Sequence, residues 1–146
     1  MRLLCIPLLI LTAAAAPGAS APGNSSTASE RDTARSEIER ILEADNLDSD
    51  RLGPSEVVEI IAGIDRGGAP QDFWQAYQAH VQAWRRLADI FDRISRQQGE
   101  STFVEGEEEL VAAEEAVNTT FEEVERIARQ YGARLPPPRG EVVPTI

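Results

Sequence analysis

Residues 73–84 read FWQAYQAHVQAW and contain five ring-bearing side chains in twelve positions. They include both tryptophans of the chain and its only histidine, His80. Four of the rings recur at intervals of four, three and four residues, the spacing that places side chains on one face of an α-helix. These four are Phe73, Tyr77, His80 and Trp84. The stretch therefore predicts the buried face of a helix.

The helix that contains this stretch is expected to be long. Its apolar face continues through Leu87, Phe91 and Ile94 at the same intervals. Pro70 suits the first turn of a helix, and Gly99 suits the left-handed position that follows a last turn. We therefore expect this helix to run from about residue 70 to residue 98.

A second long helix is predicted from Thr102 to Gly132. Thr102 and Glu105 have the spacing of a capping box, and an apolar face runs from Leu110 to Tyr131. Because the connection at 99–101 is so short, the two helices are expected to form an antiparallel hairpin. The helix predicted for residues 70–98 carries four arginines, and nine glutamates lie between residues 105 and 125, so ion pairs across that hairpin are favoured.

Two shorter helices are expected to cover the open side of the hairpin. The first runs from about Ser29 to Asp45 and carries one apolar face. That face consists of Ala34, Ile38, Ile41 and Leu42. The second begins at Pro54 and ends at Gly67 and Gly68. Its segment VVEIIAGI is apolar nearly all round, which predicts burial on more than one side.

The chain is predicted to form one all-α domain, a small antiparallel bundle of three to four helices over residues 29–132. Arg2 and the apolar run from Leu3 to Ala16 are typical of a secretory signal peptide, expected over residues 1–21. Residues 22–28 are expected to be a flexible lead-in. Residues 133–146 include RLPPPRG, which cannot be helical, and are expected to form a disordered, Pro-rich extended tail.

Composition narrows the function. All 14 basic residues are arginine, a usage typical of bacterial genomes of high GC content, and the net charge is −11. Such acidity disfavours nucleic acid and anionic membranes as partners, and no stable membrane insertion is expected after signal cleavage. The only cysteine, Cys5, lies in the predicted signal, so the exported chain would lack thiols for disulfides, zinc or iron–sulfur clusters. We expect a periplasmic or secreted protein without a cofactor.

His80 is the first candidate site residue, with Tyr77 and Trp84 beside it on the same helical face. One interpretation is structural, a core histidine hydrogen-bonded to a carboxylate or backbone carbonyl of a neighbouring helix. The other is a metal or small-ligand site, because imidazole titrates near neutral pH and binds metals. The di-iron signature Glu-x-x-His is absent, since residue 77 is a tyrosine.

The second candidate is the acidic segment from Asp48 to Glu59. Its spacing partly matches an EF-hand calcium loop, with candidate ligands Asp48, Asp50 and Glu59 and a glycine at position six. Leu52 occupies position five, where an oxygen donor is usual, and Pro54 occupies position seven. The alternative is an ordinary acidic connection between two helices.

The third candidate is the glutamate-rich face of the last long helix. Glu108, Glu115 and Glu122 recur every seven residues away from the apolar face, which favours a solvated surface or a docking surface for a basic partner. No catalytic motif occurs, so no catalytic residue is predicted. We expect a non-catalytic protein that binds an unidentified protein or small molecule, with a site at His80 or weak calcium binding as alternatives.

Overall fold

The computed structural model describes residues 24–48, 51–96 and 103–137. These residues form four α-helices and no β-strand. The helices are α1 Asn24–Asp45, α2 Pro54–Ala62, α3 Gln71–Arg96 and α4 Phe103–Gln130. The predicted all-α helical bundle is confirmed, whereas the predicted signal peptide lies outside the described residues. No helix in the described ranges is both long enough and apolar enough to cross a membrane.

The two long helices, α3 and α4, form the predicted antiparallel hairpin. Three contacts at different heights fix its direction, because residue numbers fall along α3 as they rise along α4. The contacting pairs are Arg93 with Glu109, His80 with Thr120, and Asp72 with Tyr131. Within the described residues only the first of these is an arginine–glutamate pair, so charge contributes little to holding the hairpin together.

The main core lies where α1 and α2 cover the open end of the hairpin. Its side chains come from all four helices, which makes it the point where the bundle is joined. α1 contributes Ile38, Ile41 and Leu42, α2 contributes Val57 and Ile61, and the hairpin contributes Phe73, Tyr77, Val81, Val124, Ile127 and Ala128. The three α1 residues all belong to the predicted apolar face, and none is more than 1% exposed, whereas the fourth member of that face, Ala34, is only partly buried.

The two shorter helices cover only this half of the hairpin. From Ala83 onward along α3, the two long helices pack on each other through a second cluster of Ala83, Leu87, Ile90, Ala113 and Val117. Gly106 permits a close approach there, since a Cβ at that position would lie 3.1 Å from Ile94 Cγ1. Phe91 remains 45% exposed. The apolar face predicted for α3 is therefore not buried along its whole length.

Two helix boundaries differ from those predicted. α1 begins at Asn24, so residues 24–28 are helical and not part of a flexible lead-in. Ser29 therefore lies inside α1 and not at its start, and its carbonyl accepts a hydrogen bond from the hydroxyl of Thr33 one turn later. α2 ends at Ala62, well before Gly67, and Ile60 is 42% exposed. The expected burial of α2 on more than one side was therefore wrong.

Residues 133–137 lie against the bundle. Gly132 ends α4 with a φ of 73°, a conformation that favours glycine. The Arg134 amide then donates to Glu39 Oε1 over 3.0 Å, and Asn46 Nδ2 donates to the Pro137 carbonyl over 3.0 Å. This part of the predicted tail is non-helical, as its prolines require, but two hydrogen bonds attach it to α1 and the residue that follows it. Residues 138–146 lie outside the described ranges.

Replacing Ile41 by alanine should lower the free energy of unfolding by about 2–5 kcal/mol, because its side chain is fully buried in the main core. The matched control is Ile60→Ala, where 42% exposure should keep the loss below about 1 kcal/mol. Urea denaturation followed by far-UV circular dichroism measures both values. Equal losses would contradict the placement of α1 over the open end of the hairpin.

Candidate functional site

His80 lies near the middle of α3, where its side chain is 4% exposed. One turn further on, Trp84 Nε1 donates a hydrogen bond to His80 Nε2 over 3.1 Å. On the opposite side of the ring, Nδ1 lies 3.1 Å from Thr120 Oγ1 of α4. The Phe121 ring packs against the imidazole with a centroid separation of 5.1 Å. Both ring nitrogens of His80 are therefore engaged, and one of them joins α3 to α4.

The partners of His80 identify its tautomer. The Thr120 hydroxyl donates to its own helix, because Oγ1 lies 2.8 Å from the Ala116 carbonyl and 3.0 Å from that of Val117. Oγ1 is then left as an acceptor for the imidazole, so Nδ1 carries the proton. Nε2 has no proton, since it accepts the hydrogen bond from Trp84. His80 is thus neutral and protonated at Nδ1.

A buried carboxylate lies next to this histidine. Asp45 is the last residue of α1, and its side chain is 7% exposed. Asp45 Oδ2 lies 3.9 Å from His80 Nε2, which is beyond hydrogen-bond distance, and Oδ1 accepts a long hydrogen bond of 3.4 Å from the Tyr77 hydroxyl. No arginine pairs with Asp45 among the described ion pairs. The negative end of the α1 dipole is a further unfavourable neighbour for its charge.

Burial shifts the pKa values of all three groups. It raises the pKa of Asp45 to about 6, although the Tyr77 hydrogen bond opposes part of the shift. It lowers the pKa of His80 to about 4, against the opposing effect of a hydrogen bond to the Val117 backbone. Burial, and then the nearby Asp45 charge, raise the pKa of Tyr77 above its ordinary value. As the pH falls, Asp45 is therefore protonated before His80.

A cavity of about 350 Å³ opens beside this pair, between the end of α1, the hairpin and residues 135–136. Its apolar lining consists of Leu42, Leu47, Val57, Trp84, Val117, Phe121, Leu135 and Pro136. Its polar lining consists of Asp45, Asn46, His80, Asn118 and Glu125. The cavity thus has mostly apolar walls with a few polar groups, the composition of a small-molecule site.

The residues predicted for a site around His80 lie together. His80 and Trp84 both line the cavity. Tyr77 is fully buried behind it and reaches the cavity only through its hydrogen bond to Asp45. The imidazole has a threonine hydroxyl and an indole as its side-chain partners, and its hydrogen bond to the Val117 backbone is of the kind that the structural interpretation expected.

The candidate calcium residues are placed only in part. Asp48 lies 3.9 Å from the guanidinium of Arg51, Glu59 is exposed on α2, and Asp50 is outside the described residues. Across the described ranges, no group of three or more acidic, histidine or cysteine side chains is arranged to hold a metal ion.

Asp45 is the site residue that the sequence reasoning missed. It follows Ile38 by seven residues and Ile41 by four, so it lies on the apolar face of α1. A carboxylate in register with buried isoleucines is the signal that could have identified it. Thr120 has the same kind of signal, since it stands three residues after Val117 and four before Val124 on α4.

Comparison with known proteins gives no relative. No family model, no curated protein and no solved structure matches this chain. The chemistry of the cavity therefore has to be inferred from its own residues.

Asp45 and His80 should give opposite pH dependences of stability. The folded-state pKa of Asp45 lies above its ordinary 3.8, so ionisation of Asp45 destabilises the fold as the pH rises towards 6. The folded-state pKa of His80 lies below its ordinary 6.5, so protonation of the unfolded state destabilises the fold as the pH falls towards 4. In the unmodified protein these two effects oppose each other over nearly the same pH range.

Single substitutions should separate the two effects. Between pH 7 and pH 4, the stability of Asp45→Asn relative to the unmodified protein should fall by as much as about 3 kcal/mol. Over the same range the relative stability of His80→Gln should rise by a similar amount, about 3 kcal/mol. Urea denaturation at a series of pH values measures both differences. Profiles that stay parallel to that of the unmodified protein would contradict the burial of these two groups.

Proposed function

We propose that this protein is an exported, non-catalytic binding protein whose small-molecule ligand occupies the cavity beside His80. The observation that carries the proposal is the cavity of about 350 Å³, whose size and mostly apolar lining suit a small ligand. The few polar side chains that converge on it would orient the ligand. Export rests on the predicted signal peptide at residues 1–21.

The hydrogen bonds of His80 favour an organic ligand over a metal ion. A metal would need an imidazole lone pair, and the lone pair on Nε2 already accepts the indole N–H of Trp84. Binding a metal would therefore require the loss of that hydrogen bond. Asp45 is the nearest acidic group, and the described residues provide no third acidic, histidine or cysteine side chain to complete a metal site with these two.

The proposal can be tested by blocking the cavity from its exposed rim. Asn118 lines the cavity and is exposed, so Asn118→Trp should fill the opening without disturbing the core. Thr119→Trp is the matched control, because Thr119 is the next residue on the exposed surface of α4 and does not line the cavity. Ligand-observed NMR with a fragment library then measures binding to the unmodified protein and to both variants.

Fragments that bind the unmodified protein should bind Thr119→Trp equally well and Asn118→Trp at least about tenfold more weakly, because the indole would occupy their volume. Circular dichroism confirms that both variants are folded. A library that yields no fragment, or fragments that bind Asn118→Trp unchanged, would contradict a ligand site in this cavity.

A further inference from the structure

Among the described residues that line the cavity, two are acidic and none is an arginine or a lysine. The two acidic residues are Asp45 and Glu125, and the chain contains no lysine. His80, the remaining titratable group of the lining, is neutral because Nε2 accepts from Trp84. An anionic ligand would therefore meet acidic side chains and no basic one among the described lining residues, so electrostatics favours a neutral or positively charged ligand.

Asp45 is the lining residue whose negative charge no described arginine neutralises. Its side chain is only 7% exposed. Even so, Oδ2 receives no hydrogen bond from the described residues and lies 3.9 Å from His80 Nε2. Every fully buried side-chain oxygen or nitrogen of those residues has a hydrogen-bond partner. Oδ2 is therefore not fully buried, and because Asp45 lines the cavity we take Oδ2 as an acceptor that a ligand can use. A buried carboxylate without a cation is costly, and a cationic ligand would remove that cost.

Glu125 does not present a second open charge. The guanidinium of Arg129, one turn later on α4, lies 2.6 Å from Glu125 Oε2. The Glu125 carboxylate is thus already paired on its own helix. The described lining is left with one carboxylate that no cation pairs, Asp45, which matches a ligand with a single positive charge.

The walls next to Asp45 suit an organic cation. Trp84 and Phe121 both line the cavity and flank His80, whose ring centroid lies 6.4 Å from that of Trp84 and 5.1 Å from that of Phe121. Aromatic faces attract ammonium groups, and the remaining apolar walls favour a hydrocarbon body over a hydrated metal ion. Leu42 and Val57 supply part of those walls.

We propose that the cavity binds a small organic monocation, a protonated amine on an apolar or aromatic body, whose ammonium group pairs with Asp45 Oδ2. This inference rests on the proposed function, since it names the class of ligand for the same cavity. Trp84 and Phe121 would contact the body of the ligand, and Glu125 would remain paired with Arg129.

The test compares amines with alcohols of the same skeleton. Isothermal titration calorimetry at pH 7.5 uses butylamine, benzylamine, 2-phenylethylamine and tryptamine, each beside its matching alcohol, and phenylacetate as an anion. At least one amine should bind about tenfold or more tightly than its alcohol, because only the amine forms a charge-assisted pair with Asp45. Phenylacetate should not bind.

Asp45→Asn should remove the preference for that amine while leaving the binding of its alcohol unchanged. Asp48→Asn is the matched control, because Asp48 lies near Arg51 and does not line the cavity, and it should keep the preference. Alcohols that bind as tightly as amines would overturn the inference but leave the proposed function intact. Binding of neither amines nor alcohols would overturn the inference, and a failed fragment screen in addition would overturn the proposed function as well.

Discussion

The hydrogen-bonded chain from Trp84 through His80 to Thr120 is the interaction on which the rest of the site depends. It places a polar ring in the buried contact between α3 and α4, where an unsatisfied nitrogen would cost on the order of 1–3 kcal/mol. Both nitrogens are satisfied by neutral partners, so the imidazole stays uncharged. Because Nε2 is already engaged by Trp84, it donates nothing to Asp45, and Oδ2 of this cavity-lining residue receives no hydrogen bond from the described residues.

The charge of Asp45 at the end of α1 destabilises the folded protein. This charge is desolvated, lies at the negative end of a helix and has no guanidinium beside it among the described residues. The main core of apolar side chains from all four helices supplies the stability that allows such a residue to be kept. Local features that oppose folding are concentrated at functional sites in proteins, and the combination of Asp45 with an adjacent cavity fits that pattern.

The hairpin and its aromatic face could be predicted because their signals are local. Phe73, Tyr77, His80 and Trp84 report a helical period directly, and the short connection after α3 allows only an antiparallel return. The extent of coverage by α1 and α2 could not be predicted, since it depends on how far two short helices reach along two long ones. Ile60 shows this, because its apolar character predicted burial and its position left it exposed.

The candidate site was predictable at its centre and not at its edge. His80 and Trp84 stood out by composition and spacing, whereas Asp45 reaches them only through the tertiary placement of the end of α1. Residues 135–136 complete the cavity because the segment that contains them folds back along α1, a path that no local pattern of prolines specifies. The helical period of the sequence thus predicts where His80 lies, whereas the residues around it depend on how the helices and residues 135–136 pack.

The state of the His80 ring is the most direct measure of this arrangement. The chain has one histidine, so a long-range ¹H–¹⁵N correlation spectrum of labelled protein reports on His80 without an assignment problem. The spectrum at pH 7 should show a neutral ring protonated at Nδ1, and that state should persist on titration until the pH approaches about 4. A ring protonated at Nε2, or an imidazolium already formed at pH 6, would contradict the hydrogen bonds to Trp84 and Thr120 and the open carboxylate that follows from them.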